Sequence, residues 1–207
     1  MQKERPILFS APMVRAILDG SKTQTRRIIK NQNLIGAPPH GFHAYEVEDS
    51  DGNRFWGFSS DDDDWKCPFG KPGDRLWVRE KWNAMPVGED GEAGYPYFTI
   101  PKEKPCGACI AYAADGEDGP FRPSIHMPRW ASRITLEIVS VRVERLQEIS
   151  NNDAISEGIV CVWRGDNGPH EFDQVPHFRF LWESINGKGS WDKNPWVWVI
   201  GFRRIEA

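Results

Sequence analysis

The chain of 207 residues has no apolar run near the roughly 20 residues that a membrane-spanning helix needs. Its opening, MQKERPILFS, has no long apolar centre of the kind found in a secretory leader. On these grounds it reads as a soluble, cytoplasmic protein with no membrane partner. Cysteine is sparse: Cys67, Cys106, Cys109 and Cys161 do not make a disulfide framework, and free thiols are expected. Cationic excess is also missing. A formal charge of -4 excludes a protein that coats duplex nucleic acid, though it leaves room for a local basic cleft. HExxH, the P-loop, GxSxG and H-x-E with P-C-x-x-C are all absent. The metalloprotease, NTPase, esterase and zinc-deaminase readings therefore lose support, and metal-free chemistry with no cofactor remains. The pair Cys106 and Cys109 has the spacing of half a zinc site that Cys67, His126 or Cys161 would complete, but one such pair is a weak signal and no metal is expected.

Aromatic residues are plentiful instead: ten Trp and eleven Phe, most of them expected in the core, with flat faces left over for stacking bases. The length suits one elaborated domain over residues 1–207. Ser10 and Pro12 open a helix with Met13, Val14, Ile17 and Leu18 on one stripe, and Gly20 ends it. From about 31 to 70 the chain is rich in Gly, Pro and Asp, and Asp61 to Asp64 read as a solvated acidic run. This stretch is expected to be an irregular insertion. Lys71-Pro72-Gly73-Asp74 turns into a strand whose alternation separates Leu76 and Val78 from Arg75, Trp77 and Arg79. A second irregular insertion is expected at about 84–120, with a strand at Ala108 to Ala113, followed by a proline-broken loop through Trp130. Ile134 to Val143 changes phase, which predicts a bulge near Ser140. Ser150 and Asp153 form a capping-box pattern for a short helix stopped by Gly158. Gln174 to Ile185 has a helical stripe of Phe178, Leu181, Trp182 and Ile185, and Trp196 to Phe202 closes the chain as a strand. The fold class expected is α+β: a small mixed β-barrel with flanking helices and the two loop insertions.

The stretch GSKTQTRR concentrates Lys22, Thr25, Arg26 and Arg27 beyond a helix end, a set suited to a phosphate or carboxylate ligand. In an extended segment Lys22 and Thr25 point to opposite faces, so a shared site demands a turn between them. A buried Lys with a depressed pKa can serve as base toward a Thr hydroxyl while a carboxylate delivers a proton to a leaving amine. From the residues alone, Glu157 and Glu80 both remain candidates for that carboxylate.

Three motifs together resemble the ASCH domain of the PUA-like superfamily. They are Gly20-x-Lys22-Thr23-x-Thr25-x-Arg27, Pro72-Gly73-Asp74-Arg75-Leu76-Trp77-Val78-Arg79-Glu80, and Ala154-x-x-Glu157-Gly158. Trp130-Ala131-Ser132-Arg133 and Asn194-Pro195-Trp196-Val197-Trp198-Val199 are similar to the longer form found in bacterial prophages and phages. The resemblance implies a PUA-type barrel with a cleft for RNA or a modified nucleoside. It also implies an N4-acetylcytidine amidohydrolase in which Lys22 accepts a proton, Thr25 is the nucleophile and Glu157 is the proton donor. Arg26, Arg27, Trp77, Arg79, Glu80, Trp130 and Arg133 are the expected ligand-binding residues. The alternatives are an RNA-binding module or ribonuclease using the same groups, and a phage protein that engages a host protein through the stretch between Arg54 and Trp65.

Overall fold

A computed structural model describes residues 2–30, 42–43, 45–48, 54–59, 64–88, 99–116, 119–159 and 173–205, with single positions 92, 94, 96 and 97. Along these residues run the strands β1 (Glu4–Leu8), β2 (Gln24–Ile28), β3 (Phe42–His43), β4 (Tyr45–Glu48), β5 (Arg54–Ser59), β6 (Asp64–Lys66), β7 (Arg75–Arg79), β8 (Trp82–Pro86), β9 (Ala108–Tyr112), β10 (Thr135–Arg145) and β11 (Trp196–Ile205). The helices are α1 (Ala11–Leu18), α2 (Asn151–Ser156) and α3 (Val175–Asn186). The fold is mixed α+β.

One sheet organises the rest, in the order β1-β7-β10-β11-β2, with β3 also pairing to β10. β1 runs parallel to β7, and the other pairs are antiparallel. Pro6 sits in β1 without breaking a central ladder because β1 is an edge strand. The β10–β11 register shifts between Ile138 and Ser140, the bulge that the phase change predicts. There the side chain of Val139 turns outward, half exposed.

β11 is buried on both faces. Trp196, Trp198, Ile200 and Phe202 join the cluster under α1 with Ile7, Val14, Leu76 and Leu136. Val197 and Val199, alternating with them, join Phe178, Trp182 and Trp191 under α2 and α3. A third cluster gathers Trp82, Ala84, Tyr112, Met127 and Ala131 around the antiparallel pair β8 and β9.

Two expectations are corrected. The described strands do not close into a barrel: the sheet is open, with β1 and β2 as its ends. What joins those ends is a side chain, Arg27 Nη2 donating to the Leu8 carbonyl oxygen at 2.6 Å, in place of a backbone ladder. The first expected insertion is not irregular throughout, since β4, β5 and β6 form an antiparallel sheet within it. Residues 31–41 and Asp61 to Asp63 lie outside the described residues. β2 was not expected either. Its Gln24, Thr25 and Arg26 are all buried, so the strand carries no apolar alternation to announce it.

Candidate functional site

Helix α1 delivers the site. Gly20, at φ +83, lets the chain fold back, so that the Lys22 amide donates to the Ala16 carbonyl at 2.8 Å. The chain is then extended: Lys22 forms an antiparallel bridge with Glu157, Thr23 N–H donates to Ser156 O at 2.8 Å, and β2 follows. Glu157 is held from its own side as the C-cap of α2, whose capping box of Ser150 and Asp153 forms as the sequence predicts. Gly158 follows at φ +85. A Cβ there would stand 2.9 Å from Ala16 Cβ and 3.1 Å from Lys22 Cβ, so glycine is what allows the α1 exit and the α2 exit to touch.

The Lys22 ammonium is fully buried and donates to Glu157 Oε2 at 2.7 Å, Glu157 O at 2.8 Å and Gln24 O at 2.8 Å, which uses all three of its protons. Burial pushes the Lys22 pKa down, and this outweighs the attraction of Glu157, with Arg27 and Arg26 adding to the lowering. Glu157 Oε1 accepts from Arg26 Nη1 at 3.2 Å. Arg26 Nη2 in turn bonds Glu144 and lies 3.4 Å from Asp153 Oδ2. Arg142 closes the array: it donates to Glu144 Oε2 at 3.1 Å, Asp153 Oδ1 at 2.7 Å and the Gln24 side-chain oxygen at 3.1 Å. Three cations, Lys22, Arg26 and Arg142, thus face three carboxylates, Glu157, Glu144 and Asp153. For Asp153, burial alone would raise the pKa. Hydrogen bonds from Gln24 and Ser150 and the charges of Arg26 and Arg142 win, holding it well below the usual carboxylate range.

In front of this array lies a cavity of about 120 Å³. Thr25, Arg26, Arg27 and Glu157 form its polar wall, while Phe178, Leu181, Trp182 and Ile185 of α3, with Met13 and Ile28, form the apolar one. A dry cavity of roughly 150 Å³ is known to hold benzene, so the volume matches one aromatic ring. Thr25 is buried and lines the cavity, and its hydroxyl makes no hydrogen bond among the described residues. No turn separates Lys22 from Thr25. They are related through Glu157, which bonds the one and lines the cavity with the other.

The remaining expected residues belong elsewhere. Glu80 is buried and accepts both arms of Arg133 at 3.0 and 3.1 Å, while Arg133 also grips Asp115 and lies 3.9 Å over the Tyr112 ring. Burial pushes Glu80 up, and the Arg133 contact opposes that. The Arg79 guanidinium packs 4.6 Å over the Trp77 ring, which is itself buried. Trp130 meets Trp82 edge-on, with ring centroids 5.6 Å apart, and donates to Pro101 O. None of Trp77, Arg79, Glu80, Trp130 and Arg133 lines the cavity. Among the described residues no three His, Cys, Asp or Glu side chains group as metal ligands. Cys67 is buried, Cys106 and Cys109 are exposed free thiols, and Cys161 lies outside the described residues.

The α3 wall and the partners Glu144 and Arg142 were missed in the sequence. Of the stripe Phe178, Leu181, Trp182 and Ile185 only Phe178 and Trp182 are buried, and that surplus of apolar positions was the available signal. No protein-family model, curated protein or solved structure matches the chain. Among the described residues no helix is long and apolar enough to cross a membrane.

Proposed function

We propose that the chain is a PUA-like protein of the ASCH type whose cavity binds a single pyrimidine nucleoside and hydrolyses an acyl group from its exocyclic amine. The observation that carries this reading is that Thr25 and Glu157 line one ring-sized cavity, with the Glu157 carboxylate bonded to the buried Lys22. In the proposed reaction Thr25 Oγ attacks the acyl carbon of an N4-acylated cytidine. The pair of Lys22 and Glu157 takes up the hydroxyl proton and returns one to the departing N4 amine. Water then cleaves the threonine ester, releasing the carboxylate and restoring Thr25.

A pair is needed because Lys22, with all three protons engaged, offers no lone pair as an ion. Shifting the shared proton onto Glu157 gives a neutral amine beside a carboxylic acid. A dry setting narrows the gap between these two forms, since burial penalises charges far more than neutral groups. The apolar wall of α3 would cover a ring face, and the Arg27 guanidinium, anchored to Leu8 O, stands at the polar wall where a ribose or phosphate would follow.

The test is release of cytidine and acetate from N4-acetylcytidine at micromolar protein, followed in Glu157→Gln as well. Turnover that falls by roughly 100-fold or more in Glu157→Gln, with unchanged circular dichroism, is expected. Absence of turnover in the wild type, with cytidine still bound in calorimetry, would leave a nucleoside-binding module in place of an enzyme.

A further inference from the structure

The Lys22–Glu157 pair is not free to choose its own arrangement. Glu157 has two carboxylate oxygens, and the structure spends them on different partners: Oε2 on Lys22 at 2.7 Å and Oε1 on Arg26 at 3.2 Å. Arg26 is no ordinary ligand-binding cation, because its side chain is fully buried and Glu144 and Asp153 hold it from the far side. Phe178 lies 5.8 Å from its guanidinium carbon and covers it. Those two carboxylates are themselves fixed by Arg142, which reaches both of them from β10. The array therefore has no slack. Turning the plane of the Glu157 carboxylate away from Lys22 and Arg26 would break both bonds and strand buried charges.

We propose that Arg26, clamped by Glu144 and Asp153, is a positioning residue for the Lys22–Glu157 pair, fixing the plane in which the Glu157 carboxylate meets Lys22 and where their shared proton resides. This rests on the reading of the pair as the acid-base unit of the cavity, but its central physical content does not require turnover. The charged groups around Lys22 are Glu157 beyond α2 and Arg26 and Arg27 on β2, with the Phe9 ring 5.7 Å from Nζ. Of these, Arg26 is the one whose position is set by an outer layer of carboxylates.

Two variants separate charge from geometry. Arg26→Gln combined with Glu144→Gln removes one cation and one anion together, so the array stays balanced. Arg26→Lys keeps the charge but loses the fork that reaches Glu157, Glu144 and Asp153 at once. The Lys22 ammonium is titrated by NMR in lysine-labelled protein, with its signal assigned by its loss in Lys22→Arg.

The double variant is expected to move the Lys22 midpoint upward, because one of the two cations that lower it is gone. Arg26→Lys is expected to leave that midpoint in place while kcat on N4-acetylcytidine falls by roughly 100-fold with little change in KM, the mark of misplaced groups. An unmoved Lys22 midpoint in the double variant, or an undiminished kcat in Arg26→Lys, overturns the assignment. Should the double variant fail to fold, Arg26→Lys decides by its kcat. Should wild-type protein show no turnover at all, the acyl-hydrolase reading falls, and the Lys22 titration still decides whether Arg26 governs the pair.

Discussion

Lys22 is the residue on which the stability of the buried array and the proposed chemistry meet. Its ammonium is buried among three protein acceptors, so removing it leaves Glu157 as a buried carboxylate with Arg26 alone. Lys22→Met is therefore expected to cost about 3–5 kcal/mol in urea unfolding, as breaking a buried pair does. Asp153 gives the pH dependence. Its pKa is depressed from an ordinary 3.8 by the outnumbering bonds and charges around it. A depressed carboxyl adds stability that is fully present above its unfolded value and is lost as pH falls through the folded one. Below the ordinary carboxylate range, Asp153→Asn should accordingly lose stability less steeply with falling pH than wild type, as read from acid titrations of urea midpoints. Lys22 and Thr25 stood out as cation and hydroxyl groups concentrated beyond a helix end, whereas the residues alone left Glu157 level with Glu80 and only the family resemblance singled it out. Glu144 and Arg142 were not legible, because polar residues alternating along β10 look the same whether they face water or a buried counter-charge.

The elements matter through their ends. The exits of α1 and α2 are brought together by Gly20 and Gly158, both at positive φ, and this contact sets the Lys22–Glu157 bridge. An alanine at Gly158 would be strained and would press on Ala16 and Lys22. Gly158→Ala is expected to cost roughly 1–3 kcal/mol by urea midpoint, more than its side chain alone implies. The α1 stripe, the bulge beside Ser140 and the capping box of α2 were readable from period and cap chemistry. β1 and β2 were not: one contains Pro6, and the other is buried by polar partners, so neither shows the alternation that marks a half-buried strand. The α3 stripe was seen as helical, but its part in lining the cavity was not. Its exposed Ile185 and partly buried Leu181 border the cavity and do not fill the core.

At the scale of the molecule, helices lie on both faces of β11, and the open sheet curls until Arg27 spans its two edges. Curling was legible in the bulge. Failure to close was not, because closure depends on which strands end at the edges, and no local pattern reports that. Thiol reactivity checks the burial pattern of the whole chain. In a Cys161→Ser background, Cys106 and Cys109 should react quickly with a disulfide reagent at mildly alkaline pH. Cys67, whose thiol burial pushes up to about 11, should react only on unfolding. Fast modification of all three in native protein would contradict the packing described. The central claim concerns Thr25, and it is tested most directly by measuring cytidine release from N4-acetylcytidine by wild type and Thr25→Ala side by side. Steady turnover by the wild type is expected, with background release by a Thr25→Ala protein that folds and still binds cytidine. Equal rates in the two, or background release in both, would contradict that claim.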